Sequence, residues 1–143
     1  MTPRFPGAAS AVVAAFVLGV LALDVAAASA QAPPASDKIS DGVVKIGLIL
    51  DMSGTFADVT GQGSATAAQM AVDDFGGRVL GAPVQVVVAD HHDSPDRAAD
   101  IARHWFATEH VDAIMDVAGS SEALIVQAIG GTRDKIVILN SAG

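Results

Sequence analysis

The 143-residue chain contains no cysteine. That one absence excludes a disulfide framework, a cysteine-based zinc site and a thiol nucleophile. Basic residues are few, 8 Lys+Arg against 16 Asp+Glu, for a formal net charge of −8. Such a chain has no basic patch to neutralise phosphates, so nucleic acid is excluded as a partner. The nucleophile elbow G-x-S-x-G and the phosphate loop G-x-x-x-x-G-K-[ST] are both missing. Gly61-Gln62-Gly63-Ser64-Ala65-Thr66 partly imitates a dinucleotide fingerprint. Thr66 stands where the third glycine belongs, and no tight turn leads off the preceding apolar run, so a nicotinamide cofactor is not expected. No cofactor and no catalytic constellation are read from the chain. An apolar run long enough to cross a bilayer is also lacking. The longest, Ala11 to Leu23, has 13 residues, against the roughly 20 that a hydrocarbon core of about 30 Å requires.

What is present is unevenly spread. Residues 1–30 hold 21 apolar side chains, while residues 31–143 hold 52 of 113, the proportion of an ordinary globular domain. Arg4, the apolar run and Ala28-Ser29-Ala30 have the layout of an export signal, with cleavage expected between Ala30 and Gln31. Asp24 within the segment speaks against an uncleaved anchor, since a carboxylate is costly inside lipid. No stable membrane insertion is therefore expected after cleavage. The Pro/Ala/Ser/Asp stretch 31–41 reads as a disordered leader.

From residue 42 the chain alternates. Val43–Leu50 is a nearly continuous apolar run, bounded by Asp-Gly and Asp51, which favours a strand buried on both faces. Gly61–Phe75 carries Ala65, Ala68, Val72 and Phe75 as a helical stripe and is stopped by Gly76-Gly77. Val84–Ala89 is a second strand. Ser94, Pro95 and Asp96 open a second helix as N-cap, first helical residue and dipole-facing carboxylate. That helix turns Ala98, Ile101, Ala102, Trp105 and Phe106 toward a core. Asp112–Val117 is a third strand, Glu122 to about Ile129 a helix closed by Gly130-Gly131, and Ile136–Leu139 a fourth strand. The order β-α-β-α-β-α-β predicts an α/β fold, a parallel sheet with helices on both faces. It ends one loop after a buried strand, so residues 42–143 are expected to be the N-terminal part of a longer, incomplete lobe.

Ligands of such sheets bind beyond the carboxyl ends of the strands. Four loops fall there: Asp51 to Asp58, Asp90-His91-His92-Asp93, Ala118 to Ser121, and Asn140-Ser141-Ala142-Gly143. Gly119-Ser120-Ser121 precedes a helix, where small residues allow close backbone approach and free N–H groups favour a carboxylate. The same serines also suit plain N-capping. The Asp90–Asp93 cluster offers metal-ligand chemistry, but adjacent residues on an extended chain point to opposite sides, so His91 and His92 do not converge on one ion. A solvated turn capping the next helix is expected there, with no metal bound. His104 and His110 are expected at the surface, flanking Trp105 and Phe106.

Val44-Lys45-Ile46-Gly47 followed by Asp51-Met52-Ser53-Gly54, the helix segment from Gly63 to Phe75, the turn Asp90-His91-His92-Asp93-Ser94-Pro95, the strand from Asp112 to Met115, the Gly119-Ser120-Ser121 loop and Asn140-Ser141-Ala142-Gly143 resemble, in order and spacing, the branched-chain amino-acid-type substrate-binding proteins of ABC importers. Phe75 stands near that family's usual Asn, and His91 replaces the second Asp of its turn. The resemblance, from Val43 to Gly143, implies a type I periplasmic binding protein lobe. Such a protein is periplasmic and two-lobed, captures a small solute bearing a carboxylate, and delivers it to an inner-membrane ABC permease. It also implies that Ser120, Ser121, Ser141, Ala142 and Gly143 hold the solute carboxylate, Ser121 foremost, and that Ser53 and Phe56 border the cleft. Three other readings stay open: a sensing module of the same fold, an exported flavodoxin-like or Rossmann-like enzyme, and a truncated non-functional product.

Overall fold

A computed structural model describes residues 41–142. The expected export segment and all of the leader but Asp41 lie outside the described residues, as does Gly143. The elements, in order, are β1 (Val44–Leu50), α1 (Gly61–Asp74), β2 (Arg78–Val79), β3 (Ala82–Asp90), α2 (Pro95–His104), β4 (Ala113–Val117), α3 (Ser120–Gly131) and β5 (Ile136–Val137). One sheet in the order β2-β3-β1-β4-β5 joins the strands. β1 is central and pairs in parallel with both β3 and β4. That position explains its nearly continuous apolar run, interrupted at Lys45, because the crossover helices of a parallel sheet cover both of its faces.

Side chains alternate across β1. Val44, Ile46 and Leu48 face α1 across an apolar groove of about 600 Å³. Ile49 enters the core on the opposite face with Ala98 and Ala102 of α2 and Ala123 and Val126 of α3. Gly47 shares that second face. A Cβ there would lie 2.5 Å from Cζ3 of Trp105 and 3.2 Å from Cγ1 of Val111, so the indole occupies the space that glycine leaves. Trp105 and Phe106 begin a π-helical turn, Trp105–Glu109, that continues α2 and ends at His110 in a left-handed conformation. α2 starts as expected. Ser94 is the N-cap, its hydroxyl accepting from the Arg97 N–H at 3.4 Å, with Pro95 in the first turn. His104 and His110 are exposed.

The sheet departs from the parallel expectation at one edge. β2 runs antiparallel to β3, pairing Arg78 with Pro83 and Val79 with Ala82. The two-residue turn between them, Leu80-Gly81, has φ of 48° and 83°, the doubly left-handed geometry that matches strand twist in a tight hairpin. Leucine is an unusual first residue for that turn, and so the hairpin carries no Asn-Gly or Asp-Gly signal. Two helix boundaries also differ. α3 begins at Ser120 and includes Gly130 and Gly131, with Thr132 as its C-cap. Phe75, expected on the buried stripe of α1, is its C-cap and is 68% exposed.

Candidate functional site

The connection leaving β1 through α1 leads toward β3, whereas that leaving β4 through α3 leads toward β5. The loops after β1 and β4 therefore part company, leaving a crevice at the carboxyl ends of the two strands. A cavity of about 560 Å³ lies there, lined by Phe56, Val59, Thr60, Ser64, Asp116, Gly119, Ser120, Asn140 and Ser141.

One wall is the loop after β1, and it is folded around a buried carboxylate. Asp51 is fully buried and accepts from the N–H groups of Gly54 (2.6 Å) and Phe56 (2.8 Å). Burial alone would raise its pKa. The N–H groups of Phe56, Gly54 and Ser53 outweigh that, and with His91 nearby they hold the carboxyl below the ordinary aspartate value. The loop passes so close that a Cβ at Gly54 would lie 2.6 Å from Oδ1 of Asp51. Beyond Phe56 the chain turns into α1, the Thr60 and Gly61 N–H groups donating to the Phe56 and Ala57 carbonyls.

A second carboxylate ties this loop to the one after β3. Asp90 accepts from the Met52 N–H (3.0 Å), the Ser53 hydroxyl (2.7 Å) and the His92 N–H (2.9 Å). Burial again raises its pKa, and the His92 N–H, the Ser53 hydroxyl and the Met52 N–H bring it below the ordinary value. Ser53, His92 and Asp90 thus meet, but not as a nucleophilic triad. Nδ1 of His92 faces both the Ser53 hydroxyl (2.5 Å) and Oδ2 of Asp90 (3.0 Å). A triad needs the serine and the carboxylate on opposite ring nitrogens, so this cluster is a staple between loops. His91 overturns the expectation of a wholly solvated turn. It is fully buried, and both ring nitrogens lack a hydrogen-bond partner among the described residues. Of these two neighbours in sequence, His91 is buried and His92 exposed, the chain leaving β3 through a turn in which His92 and Asp93 are left-handed, with φ of 52° and 53°. No group of three or more metal-ligating side chains occurs among the described residues.

The floor and far wall come from β4, the start of α3 and the segment after β5. Asp116 is 4% exposed. The Ser141 hydroxyl donates to its Oδ1. The Asn140 amide, oriented by its surroundings, donates from its NH2 to the same Oδ1 (2.6 Å) and to the Met115 carbonyl (3.2 Å). At α3 the N-cap is Gly119, with φ of 81° and no side-chain capping bond. Glu122 of the first turn, 2% exposed, folds back onto Gly119 and occupies the space of a Cβ there. The positive end of the α3 dipole is thereby met by the chain's own carboxylate.

The residues singled out by sequence separate into three groups. Phe56, Ser120 and Ser141 line the cavity together. Ser53 is turned to Asp90 and His92, and the Ser121 hydroxyl donates to Oε2 of Glu122 at 2.8 Å. Ala142 is exposed beyond Ser141, and Gly143 lies outside the described residues. Asp116, Asn140, Thr60 and Ser64 were not anticipated as lining residues. Asn140 heads a loop already under suspicion. Asp116 carried a signal as well, since a carboxylate inside an apolar strand needs a partner or a role.

The family described as "Periplasmic binding protein" matches residues 43–143. Among curated proteins none matches the chain. Solved structures do. A periplasmic binding protein from Burkholderia mallei is 43% identical with a TM-score of 0.69, covering 71% of this chain and 27% of its own. A branched-chain amino acid ABC transporter periplasmic ligand-binding protein from Burkholderia xenovorans is 41% identical with a TM-score of 0.68, covering 70% of this chain and 27% of its own. The isoleucine complex of a branched-chain amino acid transporter substrate-binding protein from Streptococcus pneumoniae is 26% identical with a TM-score of 0.63, covering 70% and 29%. The chain thus spans a little over a quarter of the length of these structures. By its family match over residues 43–143 and its likeness to these structures, it belongs to the periplasmic binding protein family and has the type I lobe fold.

Proposed function

We propose that the protein is the extracytoplasmic solute-binding component of an ABC importer. It captures a small carboxylate-bearing solute, an amino acid or a related organic acid or amide, between two lobes and presents it to an inner-membrane permease. The reading places it in the periplasm after cleavage between Ala30 and Gln31. The observation that carries it is the cavity at the β1/β4 crevice. That cavity joins an aromatic wall, Phe56, to the hydroxyls of Thr60, Ser120 and Ser141 and the amide of Asn140. It combines apolar contact with a few placed polar groups, the usual make-up of a small-molecule site. The one lining hydroxyl held by a carboxylate, Ser141 on Asp116, has no histidine or lysine in the lining to act as its base, so binding without reaction is the function these groups suit. The relatives whose names include branched-chain amino acid transport support the solute class.

The test is calorimetric titration of the full-length protein with the twenty amino acids, their amides and their deaminated analogues. One chemical class should bind with Kd of about 1 μM or tighter, equivalent to about −8 kcal/mol. Absence of binding across all three sets would refute the reading. Intact-mass measurement of the exported protein should place its N-terminus at Gln31.

A further inference from the structure

The register of β4 against β1 shifts by one residue. Gly47 pairs with Ile114, but Leu48 pairs with Asp116, leaving Met115 as an extra residue. This is a β-bulge, a device that re-aims the side chains following it and recurs beside functional sites. Its effect here can be followed residue by residue. Ile114 and Val117 both enter the core beneath α2 and α3, whereas Met115 and Asp116 line the groove on the α1 face. In an unbulged strand Asp116 would share the face of Ile114, and its carboxylate would sit unpaired in an apolar core, at heavy cost. The bulge instead delivers it to the floor of the cavity.

Two further features concern the same side chain. Ser141 and Asn140, from the segment after β5, both donate to Oδ1 and hold the carboxylate in place. Of the nine lining residues Asp116 alone is ionisable, and no Lys, Arg or His joins it. A solute anion seated against this floor finds a like-charged group and no cation. A solute donor finds a positioned acceptor. We propose that Asp116 is the specificity-determining residue of this lobe, selecting a hydrogen-bond donor on the solute, an ammonium or a hydroxyl, with Ser141 and Asn140 as its positioning residues. The inference rests on the solute-binding reading above and names the group on the solute that the lobe reads.

The test uses full-length protein and three probes of one skeleton: L-leucine, L-2-hydroxy-4-methylpentanoate and 4-methylpentanoate. They share the carboxylate and the apolar body and differ only in carrying an ammonium, a hydroxyl or a hydrogen at C2. Calorimetric titration of the native protein should show the better of the first two binding at least about tenfold more tightly than the third, the discrimination one charge-assisted hydrogen bond supports. Which of the two binds better distinguishes an ammonium from a hydroxyl as the group read. Asp116→Asn should bring that ratio below about threefold, because an amide no longer presents two acceptor oxygens. Ser141→Ala, which keeps the carboxylate but removes one of its donors, should reduce the ratio by about threefold, and it carries the test if Asp116→Asn fails to fold. A native protein that binds all three probes within about threefold, or variants that keep the full ratio, would overturn the role of Asp116 while leaving solute binding intact. No binding of any of the three would overturn this inference, while the wider panel of amino acids, amides and deaminated analogues decides the solute-binding reading separately.

Discussion

The loop that walls the cavity folds around the Asp51 carboxylate, and the removal of that group has a calculable cost. In Asp51→Asn the side chain keeps its shape but offers one acceptor oxygen and one NH2 in place of two oxygens. The native oxygens receive separate N–H groups, Gly54 on Oδ1 and Phe56 on Oδ2. Whichever way the amide turns, one of these donors faces another donor at a fully buried position. Losing a hydrogen bond to a charged acceptor costs about 1.5–3 kcal/mol, and the donor left unpaired adds to that. The expected loss is therefore about 3 kcal/mol, a substantial share of the roughly 5–15 kcal/mol typical of a domain. For a domain of about 100 residues it corresponds to a fall in Tm of roughly 12–24 °C. The chain provides its own probe: Trp105 is its single tryptophan, 6% exposed in the core on the α2 face. Urea unfolding followed by Trp105 fluorescence reports global stability without touching the loop. A midpoint change worth less than about 1 kcal/mol at constant m-value would refute the claim that Asp51 anchors the loop.

The fold was legible in the sequence where periodicity and punctuation agreed. Val43–Leu50 predicts β1 because a central parallel strand must be apolar on both faces, and Ser94-Pro95-Asp96 predicts the start of α2 because each residue meets a separate need of a helix N-terminus. The β2–β3 hairpin was not legible. Its turn places Leu80 at φ 48°, a conformation the pairing of Arg78 and Val79 with Ala82 and Pro83 holds in place and no local propensity favours. The site was legible at the level of loops and not at the level of side chains. The loops after β1, β4 and β5 do meet, bringing Phe56, Ser120 and Ser141 to one cavity. Which hydroxyl points inward depends on neighbours that only the fold supplies. Ser121 is drawn to Glu122, and Ser53 to Asp90, because carboxylates are stronger acceptors than anything else within reach. The face that Asp116 takes was hidden by a different cause. Period-two reading of Asp112–Val117 puts it on the face of Ile114, and a one-residue bulge reverses that assignment.

Two further outcomes follow from the packing and the carboxylates. Gly47→Ala would set a methyl 2.5 Å from Cζ3 and 2.8 Å from Cε3 of Trp105. The indole must move, and overpacking of this kind costs about 1–3 kcal/mol, seen as a lower urea midpoint and a shifted Trp105 emission. An unchanged midpoint would show that the ring has room. The last outcome concerns pH. Asp51 and Asp90 are both held below the ordinary aspartate value, against burial, by the N–H and hydroxyl groups that their charged forms accept. In the unfolded chain they take up protons near pH 3.9, before the folded chain does. Their contribution is therefore fully present above about pH 4 and is lost as pH falls through the lowered folded values. Stability measured between pH 7 and pH 2.5 should decline below about pH 4. In Asp51→Asn the decline should be shallower, since one of the two groups no longer titrates. An equal slope in the variant and the native protein would mean that Asp51 binds its proton alike in both states, and that the hydrogen bonds around it do not favour its charge.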